Sequence, residues 1–122
     1  YVQYVAARIN SIRRKAAERG IDFNPEAVDW SLLGHASEKL LAVTASFYPA
    51  VLHLAAERKD CSGLVEYLLN LGKAFNSFYR ECPVLAAETP ELAAARLALS
   101  GAVREIIVDG LSTLTIQVPE AM

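Results

Sequence analysis

Residues 1–19 read YVQYVAARINSIRRKAAER, and the spacing of their apolar side chains decides the fold class. At about 100° per residue, Val2, Val5, Ile9, Ile12 and Ala16 fall on one narrow side of an α-helix, which predicts a seam packed in a core. Within about 80° of arc beside that seam lie Tyr1, Tyr4, Arg8, Ser11, Lys15 and Arg19, two rings and three cations on one edge. Each base of a single-stranded nucleic acid offers a π-face and each phosphate a negative charge, so this edge is a candidate nucleic-acid surface. The same residue types also suit a solvated helix border, with tyrosine hydroxyls and arginine heads in water. Charge tilts the choice toward binding. Residues 1–19 hold five cations (Arg8, Arg13, Arg14, Lys15, Arg19) against Glu18, a net of +4 in a chain of net −2, so the other 103 residues carry −6. A local basic patch is concealed by the overall balance.

Working outward, Gly20 suits the left-handed cap that closes this first helix. Residues 21–31 read as a connection, with Asn24-Pro25 as turn chemistry, Asp22, Glu26 and Asp29 as solvated acids, and the single tryptophan, Trp30, as an anchor against the bundle rather than a stacking platform. A second helix begins between Ser31 and Ser37, with Leu33, Ala36, Leu40, Val43 and Phe47 as its buried stripe. Pro49 ends it and opens a third helix whose inner face is Val51, Leu52, Ala55 and Ala56. After a break at residues 60–63, a fourth helix from Leu64 to about Cys82 is expected at the centre of the core. Its seam is Leu64, Leu68, Leu71, Phe75, Phe78 and Cys82, widened by Val65, Leu69 and Tyr79, and Gly72 permits a close crossing. Thr89-Pro90-Glu91 is a helix start with a cap, a first-position proline and an acid near the positive end of the helix dipole. The fifth helix turns Leu92, Ala95, Leu99, Ala102 and Ile106 inward, and Gly110 is expected to break or bend it. Residues 115–122 show no periodicity. No segment alternates apolar and polar residues long enough to make a strand, so the fold class is all-α, a single domain formed as a bundle of about five helices.

The 122 residues, 53% hydrophobic and 21% charged, have the composition of one globular core, and no apolar run is expected to reach the ~18 residues that span a bilayer. The chain opens on Tyr1 already in helical register and reads as a piece of a longer protein. Cys61 and Cys82 lack metal-ligand spacing and are expected as buried free thiols in a reducing, cytoplasmic setting, with a single disulfide as the alternative. Catalytic residues are not signalled: no nucleophile stands with a base, no HExxH surrounds His35 or His53, and no glycine-rich loop follows a strand. Both histidines are expected at the surface or as caps. The reading is a binding module with no cofactor or metal of its own.

Several short strings, in order, carry a family resemblance. Tyr1-Val2-Gln3-Tyr4 with Ala7-Arg8-Ile9 resembles a YVQYAHARI opening. Phe75-Asn76-Ser77-Phe78-Tyr79 resembles FHSFY; Ala95-Arg96-Leu97-Ala98-Leu99 with Ala102-Val103-Arg104 resembles ARLAL and AVRQ; Val118-Pro119-Glu120-Ala121-Met122 resembles VPERM. These are marks of the carboxy-terminal, DALR-type anticodon-binding domain of arginyl-tRNA synthetases, and the likeness runs nearly end to end. It implies a class I parent enzyme that uses ATP with magnesium to charge tRNA(Arg), with its catalytic domain upstream, and a helical domain that receives the anticodon loop and reads chiefly its middle cytosine. It further implies that Tyr4 and Arg8 line the pocket and that Met122 lies close to it. One helical turn separates Tyr4 from Arg8, so both can reach one splayed base. Tyr1, Lys15 and Arg19 complete the candidate tRNA-binding set, with residues 83–88 as a further wall. Arg96 and Arg104 are read as mainly structural. The expected partners are the tRNA(Arg) anticodon loop and the parent's own catalytic domain, with no membrane and a monomeric state. Ala6 replaces a usual histidine, Leu114-Thr115-Ile116 replaces Leu-Gly-Ile, and residues 60–63 replace a Glu-Pro-His link. The alternatives are the anticodon domain of a cysteinyl or glycyl synthetase, and a helical module whose Tyr and Arg edge binds an acidic partner helix.

Overall fold

The computed structural model describes residues 1–21 and 28–114. Among them are five α-helices, α1 (Val2–Glu18), α2 (Ala36–Ser46), α3 (Tyr48–Arg58), α4 (Ser62–Glu81) and α5 (Pro90–Thr113), with a 3-10 turn at Trp30–Leu32 and no strand. Phe47 alone separates α2 from α3, and counting that pair as one broken rod reduces the five to four. The expectations for Asp22, Asn24-Pro25 and Glu26 fall outside the described residues.

Helix α4 is the centre, touching all four other helices, while α5 lies along α1. Its six seam residues from Leu64 to Cys82 are all buried, with Leu64, Leu71, Phe75, Phe78 and Cys82 fully enclosed. The α1 seam is buried as its periodicity demands, and Val5, Ile9 and Ala16 are fully enclosed. Where α1 crosses α4, Gly72 admits the Tyr1 ring: a methyl there would sit 3.1 Å from Tyr1 Cε2 and 3.5 Å from a Val5 methyl. At its other end α1 closes on Gly20, whose φ of 73° favours glycine. The Ile21 amide donates to the Ala16 carbonyl at 2.9 Å and the Gly20 amide to that of Ala17 at 3.1 Å, which satisfies orphan carbonyls of the last turn.

Several expectations are corrected. On α2, Leu40, Val43 and Phe47 are more than half exposed, and the inward residues are Ser37, Glu38 and Leu41. Apolar residues occur on both sides of this short helix, so periodicity cannot choose a face; polar partners across the interface choose it instead. On α5, Ala95 and Leu99 are buried as expected, but the line continues through Val103, Ile107 and Leu111, leaving Ala102 exposed. A nearly unbroken apolar run on this helix again hides its orientation. Gly110 does not break α5, which continues to Thr113; its bare backbone receives Leu68, both of whose methyls would lie 3.0 Å from a Cβ there. Residues Ala36–Arg58 do reach a membrane-spanning length and composition, because residues 40–56 carry no charge; here the stretch is broken at Phe47 and packs on α4.

The remaining elements follow local chemistry. His35 caps α2: its Nδ1 accepts from the Ser37 amide at 3.0 Å while Glu38 accepts from the His35 amide at 2.8 Å. His53 is a surface residue, 3.2 Å from Glu57 one turn on. Thr89 caps α5 through the Leu92 amide at 3.1 Å, with Pro90 following. Trp30 is 48% exposed in its 3-10 turn, and Leu33 beside it makes the contact with the core. Both cysteines are free thiols, but Cys61 is exposed at the start of α4 rather than buried, and Cys82 alone of the two is buried. Burial pushes its thiol pKa up.

Candidate nucleic-acid interface

The side chains that α1 turns away from its seam line a cavity of about 620 Å³ between α1, the end of α4 and the loop that follows. Helix α1 supplies Tyr4, Arg8, Ser11 and Lys15, with Ile12 also in the lining, and its C-cap supplies Arg19; α4 supplies Tyr79 and Arg80; Pro83, Val84, Leu85 and Ala86 form the far wall. The volume lies within the range of small-ligand sites, roughly 300–1,000 Å³.

Arg8 is the centre of this arrangement. Its Nη2 donates to Tyr4 Oη at 2.7 Å, one turn back on the same helix. The guanidinium carbon lies 4.9 Å from the centroid of the Tyr4 ring and 4.6 Å from that of Tyr79 on α4. Tyr79 is in turn backed by the buried Phe75 ring, 6.2 Å away and inclined 27° to it. Both tyrosines keep about 40% of their surface open. The lining holds four cations, Arg8, Lys15, Arg19 and Arg80, and no carboxylate. Among the described residues, none of these four has an ion-pair partner. Two flat π-faces, a planar donor fork and an unneutralised positive rim suit an unstacked base together with its phosphates.

The structure thus brings together Tyr4, Arg8, Lys15 and Arg19 from the sequence-based set, and the 83–86 wall with them. It does not bring Tyr1 to the cavity. The Tyr1 hydroxyl instead accepts from Asn76 Nδ2 at 2.6 Å, and its ring borders a separate apolar groove with Val65, Leu69 and Leu111. Met122 and the Thr115-Ile116 departure lie outside the described residues. Tyr79 and Arg80 are the residues that sequence reasoning missed. Helical period places Tyr79 at the widened edge of the core seam, although an aromatic followed by a cation repeats on α4 the ingredients of Tyr4 and Arg8 on α1. Arg96 and Arg104 hold protein acceptors, as their structural reading requires: Arg96 pairs with Glu38 at 2.8 Å, and Arg104 donates to Asn10 and to Glu105, the latter at 3.2 Å. Among the described residues no group of three His, Cys, Asp or Glu side chains is placed to hold a metal ion.

The described residues define an all-α helical bundle with a basic, aromatic-lined cavity beside its first helix. The chain belongs to the DALR anticodon binding domain family, whose sequence profile matches residues 2–122. It is similar over its whole length to curated arginine-tRNA ligases: 38% identical over 124 residues to that of Treponema denticola, 38% over 122 residues to that of Bdellovibrio bacteriovorus, and 40% over 122 residues to that of Chloroflexus aurantiacus. The chain spans about a fifth of the length of these relatives, 21%, 20% and 21% respectively.

Proposed function

We propose that this chain reads the anticodon loop of tRNA(Arg) as the carboxy-terminal domain of an arginine-tRNA ligase. The observation that carries the reading is Arg8, oriented by two tyrosine rings on the wall of a cavity that contains four cations and no acid. In this reading Tyr4 and Tyr79 stack on splayed anticodon bases, and Arg8 donates to a base edge or a phosphate. Lys15, Arg19 and Arg80 hold backbone phosphates. The parent protein is a cytoplasmic, monomeric class I synthetase whose separate catalytic domain uses ATP with magnesium to activate arginine and transfer it to tRNA. This chain contributes recognition and no reacting group.

The test is titration of the chain with the arginine tRNA anticodon stem-loop and with a copy whose middle cytosine is changed to uridine, at about 0.1 M salt. Tighter binding to the cytosine form, lost in Arg8→Ala, supports the reading. Equal affinity for both forms removes base recognition from this domain.

A further inference from the structure

Arg96 lies on α5, outside the cavity, with its side chain 11% exposed, and it faces Glu38 of α2, whose side chain is 1% exposed. An ion pair buried this deeply pays a large desolvation cost for each ion before its attraction is counted, so it is poor evidence for stability alone. Its hydrogen bonds suggest another use. Arg96 Nε donates to Glu38 Oε2 at 2.8 Å, while Nη1 of the same guanidinium donates to the Pro83 carbonyl at 2.8 Å. Pro83 is the first residue of the cavity's far wall. Two residues earlier, Glu81 at the end of α4 accepts a hydrogen bond from the Ser37 hydroxyl, which belongs to the same first turn of α2 as Glu38. The start of the wall is therefore tied twice to α2, through α5 in one case and directly in the other.

We propose that Arg96 is a positioning residue for RNA recognition: its fork, fixed on one side by the buried Glu38 carboxylate, holds the Pro83 carbonyl and so sets the distance between the 83–86 wall and the Arg8–Tyr79 face. This rests on the reading of the cavity as the RNA site. A planar guanidinium presents two donors in rigid geometry, whereas an ammonium on a flexible stem cannot hold both acceptors in the same orientation. Arg96→Lys therefore keeps the charge beside Glu38 and releases the wall. The other supports of the segment remain: the Cys82 amide still donates to the Phe78 carbonyl at 2.8 Å, and Val84 stays in the core. The loop is loosened and the bundle is kept.

The experiment uses the 122-residue chain and the same anticodon stem-loop, with amide hydrogen exchange followed in parallel. Arg96→Lys is expected to weaken binding about tenfold, the scale of a lost hydrogen bond to a charged donor, and to speed exchange in peptides covering residues 83–88 while leaving those of α4 unchanged. Unchanged affinity in Arg96→Lys, with binding lost in Arg8→Ala, overturns the role of Arg96 and leaves the site standing. Unchanged affinity in both variants overturns the site itself. Faster exchange throughout the bundle shows Arg96 to be merely structural and overturns the proposal. If Arg96→Lys does not fold, Ser37→Ala cuts the neighbouring tie at Glu81 without touching the ion pair. It is expected to weaken binding about threefold with the same local exchange signature; in that case Glu38→Gln, which removes the charge that fixes the Arg96 fork, is the variant that decides, and wild-type affinity and exchange in a folded Glu38→Gln protein overturn the proposal.

Discussion

Replacing Tyr79 with leucine removes a π-face from the cavity while leaving an apolar side chain against Phe75. Two contributions are at stake, and the geometry separates them. Tyr79 helps to orient Arg8, whose guanidinium lies 4.6 Å from its ring centroid; a cation–π contact at an exposed site is worth about 0.5–1 kcal/mol. That share is small here, because Arg8 retains the Tyr4 ring at 4.9 Å and the Tyr4 hydroxyl at 2.7 Å when Tyr79 is gone. The ring's own 40% exposure leaves a face on which a base can stack, and stacking is worth about 1–3 kcal/mol per base. Tyr79→Leu is therefore expected to weaken stem-loop binding by roughly 5- to 150-fold, since each ~1.4 kcal/mol is a factor of ten. Tyr79→Phe keeps both the face and the packing on Phe75, so its affinity is expected within about twofold of wild type. The assay is fluorescence anisotropy with a labelled stem-loop, alongside thermal unfolding to verify that both variants are folded. Wild-type affinity in the leucine variant would refute the stacking role. An equal loss in the phenylalanine variant would transfer the effect from the ring to the hydroxyl.

Tyr4→Phe removes the acceptor for Arg8 and keeps the ring, so binding should weaken about 2- to 10-fold in the wild type and hardly at all in an Arg8→Ala background, a double-mutant cycle on one assay. If the four lining cations contact phosphates, the log–log salt slope of stem-loop binding should lie near −2.8, at about −0.7 per contact; a slope near zero would remove phosphate contact from these cations and favour a largely apolar protein contact. Leu68→Ala should cost about 2–5 kcal/mol by denaturant midpoint, and adding Gly110→Ala to it should recover part of that cost, because the new methyl occupies the vacated space and alanine favours the helix by about 1 kcal/mol over glycine. Burial pushes the Tyr67 pKa from 10.0 up to about 12 and raises that of Tyr48 further, with Asp109 adding to the latter. The unfolded chain then releases these protons first, so stability is intact below pH ~10 and lost as pH rises through ~12. Unfolding free energy measured across that window should fall in the wild type and fall less in Tyr67→Phe.

The parts legible in the sequence are those where one face differs from the other. Helix α1 has a narrow apolar seam beside charged residues, and α4 has a long seam of large side chains, so period alone orients both. Helices α2 and α5 are apolar around much of their circumference, and there the inward face is set by partners distant in sequence. Glu38 is buried because Arg96 lies opposite, 58 positions away, and Ser37 because Glu81 lies opposite, 44 positions away. The candidate site divides in the same way. Its α1 edge is a local pattern, whereas Tyr79 and Arg80 belong to it only because α4 crosses α1 at Gly72, a tertiary fact no helical period contains.

Three arginines show why the same residue type is available at one position and committed at others. Arg96 is held between a buried carboxylate and a carbonyl, and Arg104 between an amide oxygen and a carboxylate. An incoming phosphate would have to displace partners from either, and at Arg96 that means breaking a buried ion pair, at a cost of about 3–5 kcal/mol. Arg8 is held as firmly in direction, but by two π-faces and a neutral hydroxyl. Those contacts orient the fork without neutralising its charge, and the two π contacts are each weak enough, about 0.5–1 kcal/mol, to be shared with a stacked base rather than surrendered. Orientation without neutralisation is the condition a recognition arginine needs, and among these three only Arg8 meets it.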